Sequence, residues 1–217
     1  MAFRLDPALI PAFPDLSFEQ SLLDSGVEPI AGLDEAGRGA WAGPVTAAAV
    51  VLNPRHPMDR LLGDVKDSKQ LRPEQRWRLE PLIKDTVLAW GVGFASNGEI
   101  DLIGILPATR QAIFRALQAL QITPGHILID ALFLPEIMVP QTALIKGDQR
   151  SLSIAAASIL AKTARDRWME ELAASETRYS FERNKGYGTR AHQAALQSYG
   201  PCPHHRFSYS PVKLSVK

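Results

Sequence analysis

The sequence predicts an α/β fold in which a mixed five-stranded sheet is flanked by helices, with a small helical part at the C-terminus. Two apolar, strand-like runs come early, strands and helices alternate in the middle, and only helical patterns follow the last strand. The 217 residues suit one large domain, and 46% hydrophobic with 22% charged residues is typical of a globular chain with a substantial core.

The predicted strands are short runs in which apolar residues are continuous or alternate. They cover residues 29–33, 45–52, 87–95, 126–129 and 142–145. The predicted helices have apolar residues at helical spacing or capping residues at their ends. They cover residues 72–84, 108–120, 151–172 and 189–199. We expect an N-terminal extension over 1–27, a main domain over 28–180, and a helical part over 181–217 packed on the same domain.

Composition excludes several classes of protein. The single cysteine, Cys202, permits neither a disulfide framework nor a zinc site built from cysteine pairs. The first residues lack the basic and then apolar plan of a secretory signal. The longest apolar stretch, roughly 42–52, is shorter than the ~20 residues of a membrane helix. We therefore expect a cytoplasmic protein without a membrane span.

Charge is distributed unevenly along the chain. From Arg183 onward there are six Lys or Arg residues and no Asp or Glu, which leaves 18 basic and 23 acidic residues in the remainder. A basic C-terminal part beside an acidic body is typical of a protein with an anionic partner, although a solvated basic tail is an equal alternative. Tyr187, between two glycines in this basic stretch, favours a nucleic-acid contact over an ordinary loop aromatic.

Acidic residues lie at or just past the C-terminal ends of predicted strands. They are Asp34, Glu35, Asp130 and Asp148. Catalytic sites in α/β proteins favour that edge of the sheet, and neighbouring strands would bring the carboxylates together. Clustered carboxylates repel one another, and Mg²⁺ or Mn²⁺ would relieve the repulsion. Two such ions could hold the attacking and leaving oxygens of a phosphodiester. The alternative is that each acid is a solvated loop residue.

A glycine-rich turn follows the first two acids. Gly37 and Gly39 allow backbone amides to approach a phosphate or sugar, and Arg38 can add a charge-assisted contact. The spacing Gly37-x-Gly39-x-x-Ala42 also matches a dinucleotide-binding fingerprint. That motif requires a helix next, whereas Gly-Pro and a strand-like run follow here, so the sequence disfavours a nucleotide cofactor.

With these residues the sequence resembles the ribonuclease HII family. The resemblance rests on four blocks in order: GLDEAGRG at 32–39 with AGPV at 42–45, DSK at 67–69, KGD at 146–148 with IAAASILAK at 154–162, and NKGYGT at 184–189 with His192. Four ordered blocks are far more specific than one short motif. They span nearly the whole chain after the first ~28 residues.

The resemblance implies a ribonuclease H-like fold and a catalytic domain over 28–180. It implies an endonuclease that cuts the RNA strand of RNA–DNA hybrids and the 5′ side of single ribonucleotides in DNA, leaving 3′-hydroxyl and 5′-phosphate ends. It implies Mg²⁺ or Mn²⁺ held by Asp34, Glu35, Asp130 and Asp148. It implies substrate contacts from Gly37, Arg38, Gly39, Ser68, Lys69, Lys185 and Tyr187. We expect a monomer that acts in DNA replication and repair.

The chain departs from the family pattern at two positions. Ala131 follows the third acid where the family usually has Gly, and Tyr209 replaces a more frequent Phe. Outside the motifs, His204 and His205 are interpreted as surface groups or phosphate contacts. Further expectations are a solvated helix face at Arg72, Arg76 and Arg78, an ion pair at Asp166, and packing of 155–162 against the sheet.

Two other functions stay open from the sequence. A different nuclease or recombinase with the same sheet would also use clustered acids but would cut all-DNA substrates. A non-catalytic nucleic-acid-binding module would show salt-dependent binding without metal-dependent turnover.

Overall fold

A five-stranded sheet forms the centre of the computed structural model, which describes residue 6 and residues 10–215. The strands are β1 Ile30–Ala36, β2 Val45–Val51, β3 Ala89–Ala95, β4 His126–Asp130 and β5 Gln141–Leu144. Their order is β3-β2-β1-β4-β5. The pairs β1–β2 and β2–β3 are antiparallel, and β1–β4 and β4–β5 are parallel. The predicted mixed five-stranded sheet is confirmed, with small shifts at strand ends.

Helices lie on both faces of this sheet. They are α1 Ser17–Asp24, α2 Met58–Leu61, α3 Pro73–Thr86, α4 Asn97–Ile103, α5 Ile105–Ala119, α6 Leu152–Ser175, α7 Phe181–Asn184, α8 Arg190–Tyr199 and α9 Ser210–Lys213. The four predicted helices correspond to α3, α5, α6 and α8. Helix α4 was not predicted, although Ser96 and Glu99 form a capping box that the sequence contains.

Side-chain alternation along the strands divides the core between the two faces. Ala31 and Leu33 of β1 pack with α5, whereas α6 packs with α3 on the other face. On that second face Gly32 lets α6 lie directly against β1, because an added Cβ would collide with the backbone of Ser153. This close packing places the start of α6, and the turn before it, beside the end of β1.

The N-terminal segment is anchored at the same place. Asp15 forms a β-bridge with Ser151, and buried Glu19 of α1 accepts hydrogen bonds from the Ser151 hydroxyl at 2.6 Å and from the Ser153 amide at 3.0 Å. These bonds hold the first turn of α6, whose amides need acceptors. Residues 1–5 and 7–9 of the predicted extension lie outside the described residues.

The end of the chain packs around a set of buried side chains that we call the C-terminal cluster. It consists of Ala42, Met169, Leu172, Ala173, Tyr179, Phe181, Leu196, Cys202 and Val212. The cluster joins α7, α8 and α9 to the end of α6 and to the loop between β1 and β2. The loop that holds the glycine-rich turn is therefore supported by the C-terminal part of the chain.

The fold tests three expectations about single residues outside the motifs. The ion pair at Asp166 is confirmed, with Lys162 at 2.6 Å and Arg76 at 3.4 Å. The solvated helix face is wrong at Arg76, which is buried because Asp166 and the carbonyls of Ser68 and Leu71 bind its guanidinium. The surface interpretation is wrong at His205, which is fully buried in contact with His192.

In the part of the chain that the structure describes, no helix is long and apolar enough to cross a membrane.

Candidate active site

The sheet brings the four predicted acids to one edge. Asp34 and Glu35 lie near the C-terminal end of the central strand β1, and Asp130 is the last residue of its parallel neighbour β4. Asp148 lies in a 3₁₀ turn, Gly147–Gln149, between β5 and α6. Parallel strands end at the same edge, so the side chains converge there.

Each carboxylate has one oxygen bound by the protein itself. The Glu35 amide donates to Asp34 Oδ1 at 2.7 Å, and the Gly147 amide donates to Asp130 Oδ1 at 2.7 Å. Arg38 donates to Glu35 Oε1 at 3.3 Å. The remaining oxygens of two of them, Asp34 Oδ2 and Glu35 Oε2, are buried without a hydrogen-bond partner among the described residues. Buried carboxylate oxygens without a donor are costly, which indicates that a ligand belongs there.

Electrostatics point the same way. Burial, followed by the neighbouring charges of Glu35 and Asp130, raises the pKa of Asp34 well above its ordinary value. Burial also raises the pKa of Glu35, against the opposing effect of Arg38. It raises the pKa values of Asp130 and Asp148 as well. A divalent cation would remove this penalty, because it neutralises several carboxylates at once.

The donor set consists of carboxylate oxygens, which suit a hard metal ion. Within residues 6 and 10–215, no three His, Cys, Asp or Glu side chains already stand together as a metal-binding group. The hydrogen bonds above explain this, since each carboxylate is turned towards an amide or cation of the chain. The fold nevertheless brings the acids together, because β1 pairs with β4 and the amide of Gly147, next to Asp148, binds Asp130. Oxygen ligands of this kind favour Mg²⁺ or Mn²⁺.

Lys69 supplies a positive charge at this cluster. Its ammonium lies 3.1 Å from Asp148 Oδ2 and 3.9 Å from Asp67 Oδ1, while 74% of its side chain is exposed. Burial by itself would lower the pKa of Lys69, but Asp148 and Asp34 hold it above its ordinary value. The neighbouring Ser68 faces inward, with its hydroxyl 2.8 Å from that of Ser158. Lys69 is thus placed to meet an anion, whereas Ser68 supports the turn.

The glycine-rich turn lies beside the acids and is held by a buried arginine. Gly37 has a φ of 90° and an added Cβ would meet the Arg165 side chain, whereas Gly39 faces open space. Arg206 donates to the carbonyls of Gly37 at 2.8 Å and Arg38 at 2.9 Å. The buried Arg206 side chain therefore fixes the peptide units of the turn on the protein side. On the solvent side, Gly39 leaves room for a ligand to approach the backbone.

Tyr187 is brought to the same place by Arg165. The Arg165 guanidinium lies 5.2 Å from the Tyr187 ring centre, and its Nη1 donates to the Lys185 carbonyl at 2.9 Å. Because Arg165 also packs under Gly37, it lies between the glycine-rich turn and Tyr187. The Lys185 ammonium points instead to Glu170, at 2.7 Å. Of these predicted substrate contacts, the turn and Tyr187 are adjacent, and Lys185 is already paired.

Ala131, the residue after the third acid, has a backbone conformation that favours glycine. Its φ is 46°, the left-handed region that costs an alanine roughly 1–2 kcal/mol. Ala131→Gly should therefore raise the free energy of unfolding by about 0.5–1 kcal/mol, measured by urea denaturation. Ala194→Gly, at an exposed position inside α8, is the control and should lose about 1 kcal/mol. Equal losses in both variants would contradict the strain at Ala131.

Two residues of the site, Arg165 and Asp67, were not predicted from the sequence. Arg165 lies in an apolar helix, and its role depends on carbonyls of Ala42, Pro44 and Lys185 that no local pattern reveals. Asp67 is buried, accepts from the Lys69 amide at 2.9 Å and from Gln149 at 3.1 Å, and so ties two motif blocks together. For Arg165, the available signal in the sequence was an arginine within a largely apolar helix.

Comparison with known proteins assigns the chain to a family. A family model described as "Ribonuclease HII" matches residues 31–212. The chain belongs to the ribonuclease HII family. A ribonuclease HII of Chloroflexus aurantiacus is 52% identical over 200 residues, which cover 92% of this chain and 94% of that protein. One of Chlamydia trachomatis serovar A is 48% identical over 201 residues, covering 92% and 90% respectively.

Solved structures agree with this assignment. The ribonuclease H2 of Pyrococcus horikoshii OT3 has a TM-score of 0.69 at 28% identity, covering 86% of this chain and 96% of that one. The ribonuclease HIII from a complex with Mn²⁺ ("Bst-RNase HIII") has the same TM-score at 21% identity, covering 86% and 68%, and shows the shared fold. As a ribonuclease HII, this chain is a hydrolase with endonuclease activity on the RNA of RNA–DNA hybrids.

Proposed function

We propose that this ribonuclease HII also cuts DNA duplexes on the 5′ side of a single embedded ribonucleotide, leaving 3′-hydroxyl and 5′-phosphate ends. The observation that carries the proposal is the placement of Gly37-Arg38-Gly39 and Tyr187 on either side of Arg165, next to the carboxylates. Backbone amides and a tyrosine hydroxyl are groups that can recognise a 2′-hydroxyl, which separates RNA from DNA.

Asp34, Glu35, Asp130 and Asp148 would hold two Mg²⁺ or Mn²⁺ ions. Such ions, when bound, activate the attacking water and stabilise the leaving 3′ oxygen. Asp34 and Asp130 would hold these ions in fixed positions, because a backbone amide anchors one oxygen of each carboxylate. Lys69 would leave Asp148 and neutralise a substrate phosphate. The archaeal relative from Archaeoglobus fulgidus was solved as a complex with PCNA, whereas we propose that this chain cleaves as a monomer.

The test uses a labelled DNA duplex that contains one ribonucleotide, with an all-DNA duplex and an RNA–DNA hybrid beside it. We expect a single nick 5′ of the ribonucleotide with Mg²⁺ or Mn²⁺, and none with a chelator or on all-DNA. Cutting of both duplexes would indicate a general nuclease. Metal-independent binding without cleavage of either the hybrid or the duplex would indicate a binding module.

Lys69 and Lys185 should contribute differently to binding. Lys69→Ala should reduce the slope of log affinity against log salt by about one, because a phosphate contact is lost. Lys185→Ala should change that slope less, because the Lys185 side chain is only 15% exposed and is paired with Glu170. Duplex binding is measured with Ca²⁺ in place of Mg²⁺ to prevent cleavage. Equal slopes for both variants would contradict the assignment.

A further inference from the structure

Two histidine rings meet inside the C-terminal part of the protein. His192 of α8 and His205 are both fully buried, and their Nε2 atoms lie 2.9 Å apart. The Nδ1 of His192 lies 3.0 Å from the Tyr187 carbonyl oxygen. The Nδ1 of His205 lies 3.0 Å from the Cys202 amide nitrogen. The rings thus link Cys202 to the backbone of Tyr187, the residue proposed to contact the ribonucleotide.

The chemistry of these atoms fixes the direction of every hydrogen bond. A carbonyl oxygen only accepts, so His192 Nδ1 carries the proton, and Nε2 of the neutral ring accepts. His205 Nε2 must therefore donate, and His205 Nδ1 accepts from the Cys202 amide. The Cys202 carbonyl oxygen, 3.3 Å from Nδ1, instead accepts from the backbone amide of His205 at 3.0 Å. Burial lowers the pKa of His192, and burial followed by the nearby His192 lowers the pKa of His205 to about 4. Both rings are accordingly neutral at pH 7, as this arrangement requires.

Aromatic rings hold the pair in place. The His192 ring centre lies 5.5 Å from that of Trp41 and 5.4 Å from that of Phe181, and Tyr179 lies 4.7 Å from His205. Trp41 follows the glycine-rich turn, and its amide donates to the Gly186 carbonyl at 2.8 Å. The same packed core therefore supports both the turn and the Tyr187 segment.

We propose that His192 is a positioning residue for ribonucleotide recognition: it holds the Tyr187 carbonyl and so orients the tyrosine beside Gly37-Arg38-Gly39, while His205 fixes the tautomer of His192. The inference rests on the proposed cleavage at single ribonucleotides. It concerns selectivity between substrates, because neither ring reaches the carboxylates. Loss of the bond frees the Tyr187 backbone on one side only, since Arg165 still binds the Lys185 carbonyl.

The test compares two variants of similar polarity. Asn at position 192 can place a donor near the site of Nδ1, whereas Gln places its amide near the site of Nε2. We expect His192→Gln to lower kcat/KM for the single-ribonucleotide duplex about tenfold more than kcat/KM for the hybrid. His192→Asn should retain most of the wild-type ratio. His56→Leu is the control, because His56 is exposed and distant from His192 in the sequence. This variant should leave the ratio of kcat/KM values unchanged.

Three outcomes separate this inference from the proposed function. If the wild type does not nick the single-ribonucleotide duplex, the proposed function fails. If it does, and both His192 variants keep its substrate ratio or lose both activities equally, the positioning role is overturned alone. Nitrogen-15 spectra of the wild type give a readout independent of activity. They should show His192 protonated on Nδ1 and His205 on Nε2 at pH 7, and the reverse tautomers would overturn the inference.

Discussion

Replacing Asp34 by Asn should abolish cleavage and at the same time make the metal-free protein more stable. Asp34 is 3% exposed, and its Oδ2 has no hydrogen-bond partner in the described part of the chain. Because Asp34 is proposed as a central metal ligand, its loss should remove several kcal/mol of transition-state stabilisation, and each tenfold in rate is about 1.4 kcal/mol. We therefore expect kcat to fall by at least about 1000-fold on both substrates.

The stability gain follows from the raised pKa of Asp34. A group whose pKa is raised in the folded state stabilises the fold below its unfolded pKa of ~3.9, and this contribution is lost as the pH rises through the folded value. At pH 8 the charged Asp34 is therefore a cost, and Asp34→Asn should raise the free energy of unfolding by about 1–2 kcal/mol. The gain should shrink on acidification, because protonation removes the buried charge of the wild-type carboxyl.

The measurements are nicking assays and thermal unfolding in a chelator at pH 8 and pH 5. Asp64→Asn is the matched control, because Asp64 is an exposed acid paired with Arg78 at 2.8 Å, and we expect little change in either assay. Retained turnover in Asp34→Asn would remove Asp34 from the metal site. An unchanged or lower unfolding temperature at pH 8 would contradict the electrostatic account of the cluster.

The strands, the acids at their ends and the glycine-rich turn could be predicted from the sequence, because each has a local sequence pattern. The run of apolar residues before Asp34 and the run before Asp130 each predict a buried strand, and an acid at the end of such a strand must lie at the sheet edge. The acids converge only if these strands are neighbours, and β2, β3 and several helices lie between them in the chain, so the parallel pairing of β1 with β4 had to come from the fold. The glycine-rich turn was equally local, since the absence of a helical pattern after Pro44 already disfavoured a nucleotide site.

Burial of charged and polar side chains could not be predicted in the same way. Arg76 looks like a surface residue in the helical pattern, and its partner Asp166 lies 90 positions later in the chain. His205 looks like a surface histidine on a proline-flanked loop, and only the fold places it against His192. A pattern of hydrophobicity assigns such residues to the surface by default. The energetic terms that override the pattern depend on partners distant in sequence.

Arg206→Met should be among the most destabilising single substitutions in this protein. The Arg206 side chain is fully buried, and it donates at 2.8–3.0 Å to backbone carbonyls around the glycine-rich turn. The acceptors belong to Gly37, Arg38, Gly43 and Pro44. A buried carbonyl without a donor costs about 1–3 kcal/mol. Partial relaxation leaves an expected loss of about 3–5 kcal/mol, measured by equilibrium urea unfolding.

A graded series tests which property of the arginine matters. Arg206→Lys keeps the charge but not the planar fork of donors, so its loss should be smaller than that of Arg206→Met yet still above about 1 kcal/mol. Tyr209→Phe should cost about 1 kcal/mol, because the Tyr209 hydroxyl donates to the Arg38 carbonyl at 2.7 Å. Arg183→Met, at an exposed arginine of α7, is the control and should change stability by less than about 0.5 kcal/mol.

The same series connects stability with recognition. The carbonyl groups of a buried loop outside the sheet need hydrogen-bond donors other than a neighbouring strand. Here the buried Arg206 guanidinium donates to several of them. If the fork holds the turn in shape, Arg206→Lys should fold and cut the RNA–DNA hybrid but lose most cleavage at a single ribonucleotide. Equal losses on the two substrates would mean that Arg206 supports the fold without shaping the turn. A loss of stability below about 1 kcal/mol in Arg206→Met would mean that the carbonyls find other donors.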